Sequence, residues 1–198
     1  MNKKIVLIVC ILVILSSFAI AEDVQWPREN ENTVFNRFSH FLGGGFGSVS
    51  GNGIIYQQWF DSLGLRGSFL IGLNPNIEES SFFMIDTLFL YEVGIEGMYQ
   101  MYSVDFFEWF SNVIYLNLFL DHAGRVPRFN TSTGEYTVGE FEYGFTLGGG
   151  YGIEMVLFEH LSNYIDFGYH VSWNSAASSL PEQFLVNFYI KSGLGYRY

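Results

Sequence analysis

His170 and Ser172 are the residues of this chain whose types and spacing best suit catalysis: an imidazole two positions from a hydroxyl, with Asn174 two positions further on. A histidine can take the proton of a serine and so activate it as a nucleophile, and a carboxylate such as Glu182 would orient the ring. The plainer account of the pair, and the one adopted, is two polar side chains on one face of a strand. Asp121 and His122 offer donors to a metal or ligand, but two donors fall short of a structural site, and neither a metal nor a cofactor is expected. His40 and His160 have no evident partner. The glycine stretches 43–45 and 148–150 lack a following Gly-Lys-Ser/Thr, so they read as close-packing or curvature devices rather than phosphate loops.

A second set of residues is ionic. Arg66, Glu92, Glu96, Glu142, Glu154, Asp166, His170, Lys191 and Arg197 fall on the non-apolar parity of alternating segments. On the inside of a closed sheet such charges must pair or stay hydrated, and Arg66 and Lys191 are the expected partners of Glu92, Glu96, Glu154 or Asp166. The set therefore predicts a salt-bridged plug. Carboxylates outnumber cations in it, which favours the alternative of a narrow cation-preferring pore.

These residues need strands to position them, and the alternation supplies eight. Segments 38–48, 53–60, 63–73, 86–101, 113–121, 140–158, 163–173 and 184–198 alternate apolar with polar or small residues. In segment 140–158, Phe141, Tyr143, Phe145, Leu147, Tyr151, Ile153, Met155 and Leu157 oppose Glu142, Gly144, Thr146, Gly148, Gly150, Gly152 and Glu154. The last segment sets Val186, Phe188, Ile190, Leu194, Tyr196 and Tyr198 against Asn187, Lys191, Gly193, Gly195 and Arg197. Connections alternate between short (61–62, 102–108, 159–163) and long (74–81, 123–139, 174–181). That pattern predicts an all-β, eight-stranded, antiparallel up-and-down transmembrane barrel over 37–198, with both termini on the short-turn side. Trp59, Phe60, Trp109, Phe110 and Phe158 would form an aromatic girdle there, and Phe141, Tyr143 and Trp173 would lie near the opposite one. A soluble sandwich would also alternate, but its outer face would be charged and its inner face large and apolar.

The composition agrees. The chain is 49% hydrophobic and 19% aromatic with 22 glycines, yet only one apolar run is long, which suits spanning strands better than helices. That run, residues 5–20, follows Lys3 and Lys4 and ends on Ala19-Ile20-Ala21, the three parts of a secretory signal peptide over 1–21. Its removal takes the one cysteine, Cys10, and two positive charges from a net charge of −11. So acidic a chain excludes nucleic acid as a partner, since phosphates need a basic surface. Residues 22–36 show no period and read as a flexible periplasmic lead-in. The long connection 123–139, with Arg125, Arg128, Phe129 and Tyr136, is the best surface for an extracellular partner.

On these grounds the chain resembles the small eight-stranded bacterial outer-membrane proteins, the broad group of outer-membrane proteins A, X and W and the opacity proteins. A sharper piece of the resemblance is the assembly signal of such barrels, a polar residue, then glycine two on, a hydrophobic five on and an aromatic seven on, filled here by Lys191, Gly193, Tyr196 and Tyr198. The resemblance implies signal-peptide cleavage near Ala21, the barrel-assembly machinery and outer-membrane lipid as partners, and residence in the outer membrane of a diderm bacterium. Functions in the group range over anchoring, adhesion, passage of small solutes and lipid modification, so the fold does not choose among them. His170, Ser172 and Asn174 are similar to the His-x-Ser-Asn motif of outer-membrane lipid A 3-O-deacylases, except that Trp173 separates Ser172 from Asn174. The expected function is a structural or surface-interaction barrel with a plugged lumen, with the pore and the lipid A esterase as alternatives.

Overall fold

The computed structural model describes residues 34–49, 51–73, 87–130, 136–175 and 184–198. The expected signal segment 1–21, the lead-in as far as residue 33 and Glu182 lie outside the described residues. One helical turn, α1 (Val34–Arg37), precedes strands β1 (His40–Gly47), β2 (Gly53–Phe60), β3 (Leu63–Leu73), β4 (Thr87–Phe107), β5 (Phe110–Asn130), β6 (Tyr136–Val138), β7 (Glu142–Leu157), β8 (Leu161–Asn174) and β9 (Phe184–Arg197). Eight of these strands form an antiparallel up-and-down ring in which each strand pairs with the next, and β6 pairs with the end of β5 outside the ring. The ring closes where β9 meets β1, from Phe41 opposite Arg197 to Gly47 opposite Lys191, and His40 and Tyr198 exchange backbone hydrogen bonds at 3.2 and 3.0 Å.

The fold is inside out. Outward parity carries exposed apolar residues around the ring, such as Leu65, Phe69 and Ile71 on β3, Phe145 and Leu147 on β7, and Phe188 and Ile190 on β9. Inward parity carries Arg66, Glu96, Glu154, Asp166, Lys191 and Arg197, all buried. Glycine makes this crowding possible at specific points. A Cβ on Gly152 would overlap the Tyr115 ring and the Asp166 carboxylate, and one on Gly193 would overlap the Tyr164 ring.

Tight turns cluster at one end of the ring, at Asp61-Ser62, Glu108-Trp109 and residues 158–160. The turn residues Asp61, Phe158 and Glu159 adopt positive φ angles of 52°, 52° and 67°, the handedness that joins right-twisted strands. Phe107 stacks on Trp109 at 5.4 Å between ring centroids, Phe106 stacks on Phe110 at 5.6 Å, and Trp109 lies 6.2 Å from Phe158. With exposed Phe60 these rings border the turn end.

Four expectations need correction. Trp59 is not in that girdle. Trp59 and Phe60 are consecutive in a strand and must point to opposite faces. Phe60 goes outward, whereas Trp59 is only 3% exposed and packs inside the ring, 5.7 Å from Tyr115.

Strand β4 does not stop at residue 101. A register shift between Gln100 and Tyr102 inserts one residue, which resets the parity, so that Ser103 is buried and Tyr102 stands opposite Ile114. Simple alternation loses a strand at such a bulge.

The stretch 123–139 is not one long loop. Strand β5 continues through it to Asn130, paired with β4 as far as Pro127, and β6 turns back against it. Arg125, Pro127 and Arg128 disguised the strand character there.

Finally, the last residues of the lead-in form α1, with Val34 and Phe35 buried inside the turn end against Trp59, Met98, Val113, Tyr115 and Val156. Burying these two side chains contributes about 2 kcal/mol each, enough to hold the segment in place.

Candidate functional site

The lumen is built from inward residues of all eight ring strands, stacked in layers from the turn end. In the lowest, β7 supplies Glu154. Its Oε1 accepts from Arg197 Nη2 at 2.5 Å and Nε at 3.0 Å and from the Ser162 hydroxyl, while Oε2 accepts from Gln57 Nε2 at 2.8 Å. Arg197 Nη1 donates to the Phe38 carbonyl at 2.9 Å, and its guanidinium lies 4.8 Å from the centre of the Phe35 ring. The helical turn is thus tied directly to the ionic interior.

The next layer centres on Arg66 of β3. Its Nε donates to Gln57 Oε1 at 2.7 Å, Nη1 to Asp166 Oδ2 at 2.5 Å and Glu96 Oε2 at 3.1 Å, and Nη2 to the Tyr115 hydroxyl at 2.8 Å. The Tyr115 hydroxyl in turn donates to Asp166 Oδ1, and the guanidinium sits 3.7 Å over the Tyr164 ring. Lys191 of β9 closes the layer, with Nζ 2.5 Å from Glu96 Oε2 and 3.5 Å from Asp166 Oδ2. An unbroken chain of hydrogen bonds therefore runs from Arg197 through Glu154, Gln57 and Arg66 to Glu96 and Lys191. Arg66, Asp166, Glu154 and Arg197 are at most 2% exposed. In so dry a setting, removing one partner strands a charge at a cost of about 3–5 kcal/mol.

Above Lys191, whose ammonium lies 4.6 Å from the centre of the Phe119 ring, the pairing thins out. The Tyr189 hydroxyl donates to Asn117 Oδ1 at 2.8 Å. Glu92 accepts from the Asn52 backbone N–H at 3.2 Å and side-chain amide at 2.8 Å, rather than from a cation. Asp121 faces inward at 2% exposure, and neither carboxylate oxygen has a hydrogen-bond partner. A cavity of about 220 Å³ opens at this far end of the ring, lined by Asp121 together with Val49, Leu90, Ala123, Thr146, Ser172 and Leu185 among others. At its rim Glu142 pairs with half-exposed Arg125 at 2.7 Å.

The structure brings together Arg66, Glu96, Asp166 and Lys191, joins Glu154 to Arg197, and leaves Glu92 with Asn52. Gln57, Tyr115, Tyr164 and Ser162 were not anticipated as members. Tyr115 and Tyr164 sit on the parity of Asn117 and Asp166, so the face was legible, but which residue reaches which carboxylate depends on strand stagger.

His170 is buried with Nδ1 unpartnered, Ser172 lies on the cavity wall two positions on, and no hydrogen bond joins them. Asp121 and His122 diverge. His122 points outward, where its ring nitrogens meet Tyr91 Oη at 2.8 Å and the Gly144 carbonyl at 3.0 Å. Among the described residues no three His, Cys, Asp or Glu side chains converge as metal ligands.

The four residues of the assembly pattern take separate places. Lys191 lies in the ionic layer and Gly193 beneath Tyr164, while Tyr196 stacks on His160 at 4.8 Å and Tyr198 on His40 at 5.5 Å. Of the proposed contact surface, Arg125 is tied to Glu142 and Arg128 is buried. The side chains of Phe129 and Tyr136 lie outside the described residues.

No protein-family model, curated protein or solved structure matches this chain.

Proposed function

We propose that the chain is an integral outer-membrane β-barrel of structural or surface-interaction type, with its tight turns toward the periplasm and its lumen plugged over the periplasmic half. The observation that carries this reading is the reversal of faces: an apolar exterior around a ring whose interior is ion-paired. In water that exterior has no counterpart to bury against, whereas lipid supplies one. Strand β3 is 11 residues long with Leu63, Leu65, Phe69, Ile71 and Leu73 exposed outward, matching the roughly 9–11 tilted residues that cross a bilayer core. The aromatic border at the turn end, and the Tyr91, Phe141, Tyr143, Phe145 and Trp173 rings packed together near the other, support two interfacial girdles.

On this reading residues 1–21 direct export, and the pattern Lys191, Gly193, Tyr196 and Tyr198 directs assembly. The plug argues against free conduction, because the hydrogen-bonded chain from Arg197 to Lys191 joins opposite walls of a ring that has room for side chains and little else. The test is planar-bilayer recording of the refolded chain from Glu22, with folding verified by the mobility difference between unboiled and boiled gel samples. A plugged barrel shows the mobility shift and no reproducible conductance steps. Absence of the shift would overturn the barrel, and regular steps would overturn the plug.

A further inference from the structure

Charge is not balanced along the lumen. Arg66, Lys191 and Arg197 face the carboxylates of Glu92, Glu96, Asp121, Glu154 and Asp166, all of them buried. Glu154 and Arg197 serve each other, Glu96 and Asp166 share Arg66 and Lys191, and Glu92 is held by Asn52. Asp121 has nothing. Buried Arg128 lies seven residues further along β5, about 23 Å away at strand rise, too far to serve it. A buried carboxylate with both oxygens bare is costly wherever the protein holds it, so its persistence at the floor of a cavity marks a place for an external donor.

The rest of the cavity says which donor. Its lining includes Leu90, Ala123 and Leu185, Val49 from the β1–β2 connection and the hydroxyls of Thr146 and Ser172, while the one lining cation, Arg125, is paired with Glu142 at the rim. A bare metal ion would need several oxygen or nitrogen ligands, and of the two carboxylates in the lining Glu142 is taken by Arg125, which leaves Asp121. An ammonium group with an apolar body satisfies both features at once, ion-pairing to Asp121 and burying its chain against the aliphatic walls. We propose that the far-end cavity is a binding site for small organic cations, with Asp121 as the residue that selects positive charge. This goes beyond the structural role proposed above and does not require the lumen to conduct.

Isothermal titration of the folded chain in a non-ionic detergent with n-hexylammonium, and separately with 1-hexanol, tests it. Hexylammonium is expected to saturate one site, hexanol to bind far more weakly, and Asp121→Asn to weaken hexylammonium by about tenfold or more. Ala123→Leu, which fills the cavity without touching the charge, is expected to weaken it too. Equal binding by Asp121→Asn and the parent chain, equal binding of the alcohol and the amine, or no saturable heat would each overturn the proposal. If Asp121→Asn fails the gel-mobility check, the amine–alcohol comparison on the parent chain decides alone.

Discussion

Toward the turn end of the lumen Glu154 and Asp166 each meet an arginine at 2.5 Å, while toward the far end Asp121, equally buried, meets no hydrogen-bond donor among the described residues. Both regions sit on the inward parity of the same strands, β5, β7 and β8 among them, so alternation does not separate them. What differs is what else reaches the axis. At the turn end the α1 segment, Trp59 and Met98 fill the space and leave the ions no water, which makes pairing compulsory. At the far end β1 and β2, 8 residues each against 21 for β4 and β5, stop short and leave a cavity. One half is built to hold the ring shut, and the other leaves room for a visitor.

The contrast can be broken most easily at Arg66. Arg66→Met leaves Asp166 and Glu96 with Lys191 as their one cation, and a loss of about 3–5 kcal/mol is expected in urea unfolding from detergent. A loss under about 1 kcal/mol would mean that water already enters the lower half. Phe35→Ala comes next, expected to cost about 3 kcal/mol because the ring is fully buried under Arg197 and the cavity left there cannot collapse against a closed sheet. Asp121→Asn should move the other way. Replacing an unpaired buried carboxyl is expected to leave stability unchanged or raise it by about 1 kcal/mol, whereas Asp166→Asn, the same chemical change in the lower half, should cost about 2–3 kcal/mol. Equal effects at the two aspartates would erase the distinction between the halves. The smallest effect is expected at the rim, where Arg125→Ala breaks a 2.7 Å pair whose arginine is half exposed. Solvent screening should hold its cost near 0.5 kcal/mol or below.

Much of this was legible in the sequence, and the failures have physical causes. Period-two alternation located all eight ring strands, and the parity of Arg66, Glu96, Asp166 and Lys191 put them inside together. Parity has no memory across a bulge, so the second half of β4, beyond the shift at Gln100 and Tyr102, read as a turn. Residue type alone assigns Trp59 to the girdle, but its neighbour Phe60 takes the outer face and turns Trp59 inward. The α1 plug carried no period because one helical turn is too short to show one. Asp121 was grouped with His122 as a possible ligand pair, although consecutive strand residues cannot share a face. Its isolation is a fact of height in the lumen, set by strand stagger and by the short β1–β2 hairpin.

On the proposed reading the apolar parity faces lipid and the ionic parity faces the lumen. The one cysteine, Cys10, precedes Glu22, so the chain from Glu22 onward accepts single cysteines along β3 without competition. Each would carry an environment-sensitive fluorophore, with nitroxide-labelled lipid as quencher in vesicles. Labels at Leu65, Phe69 and Ile71 are expected to be quenched, and those at Ser68 and Gly72 to be protected. Uniform protection, or quenching with no period of two, would contradict a membrane-spanning ring.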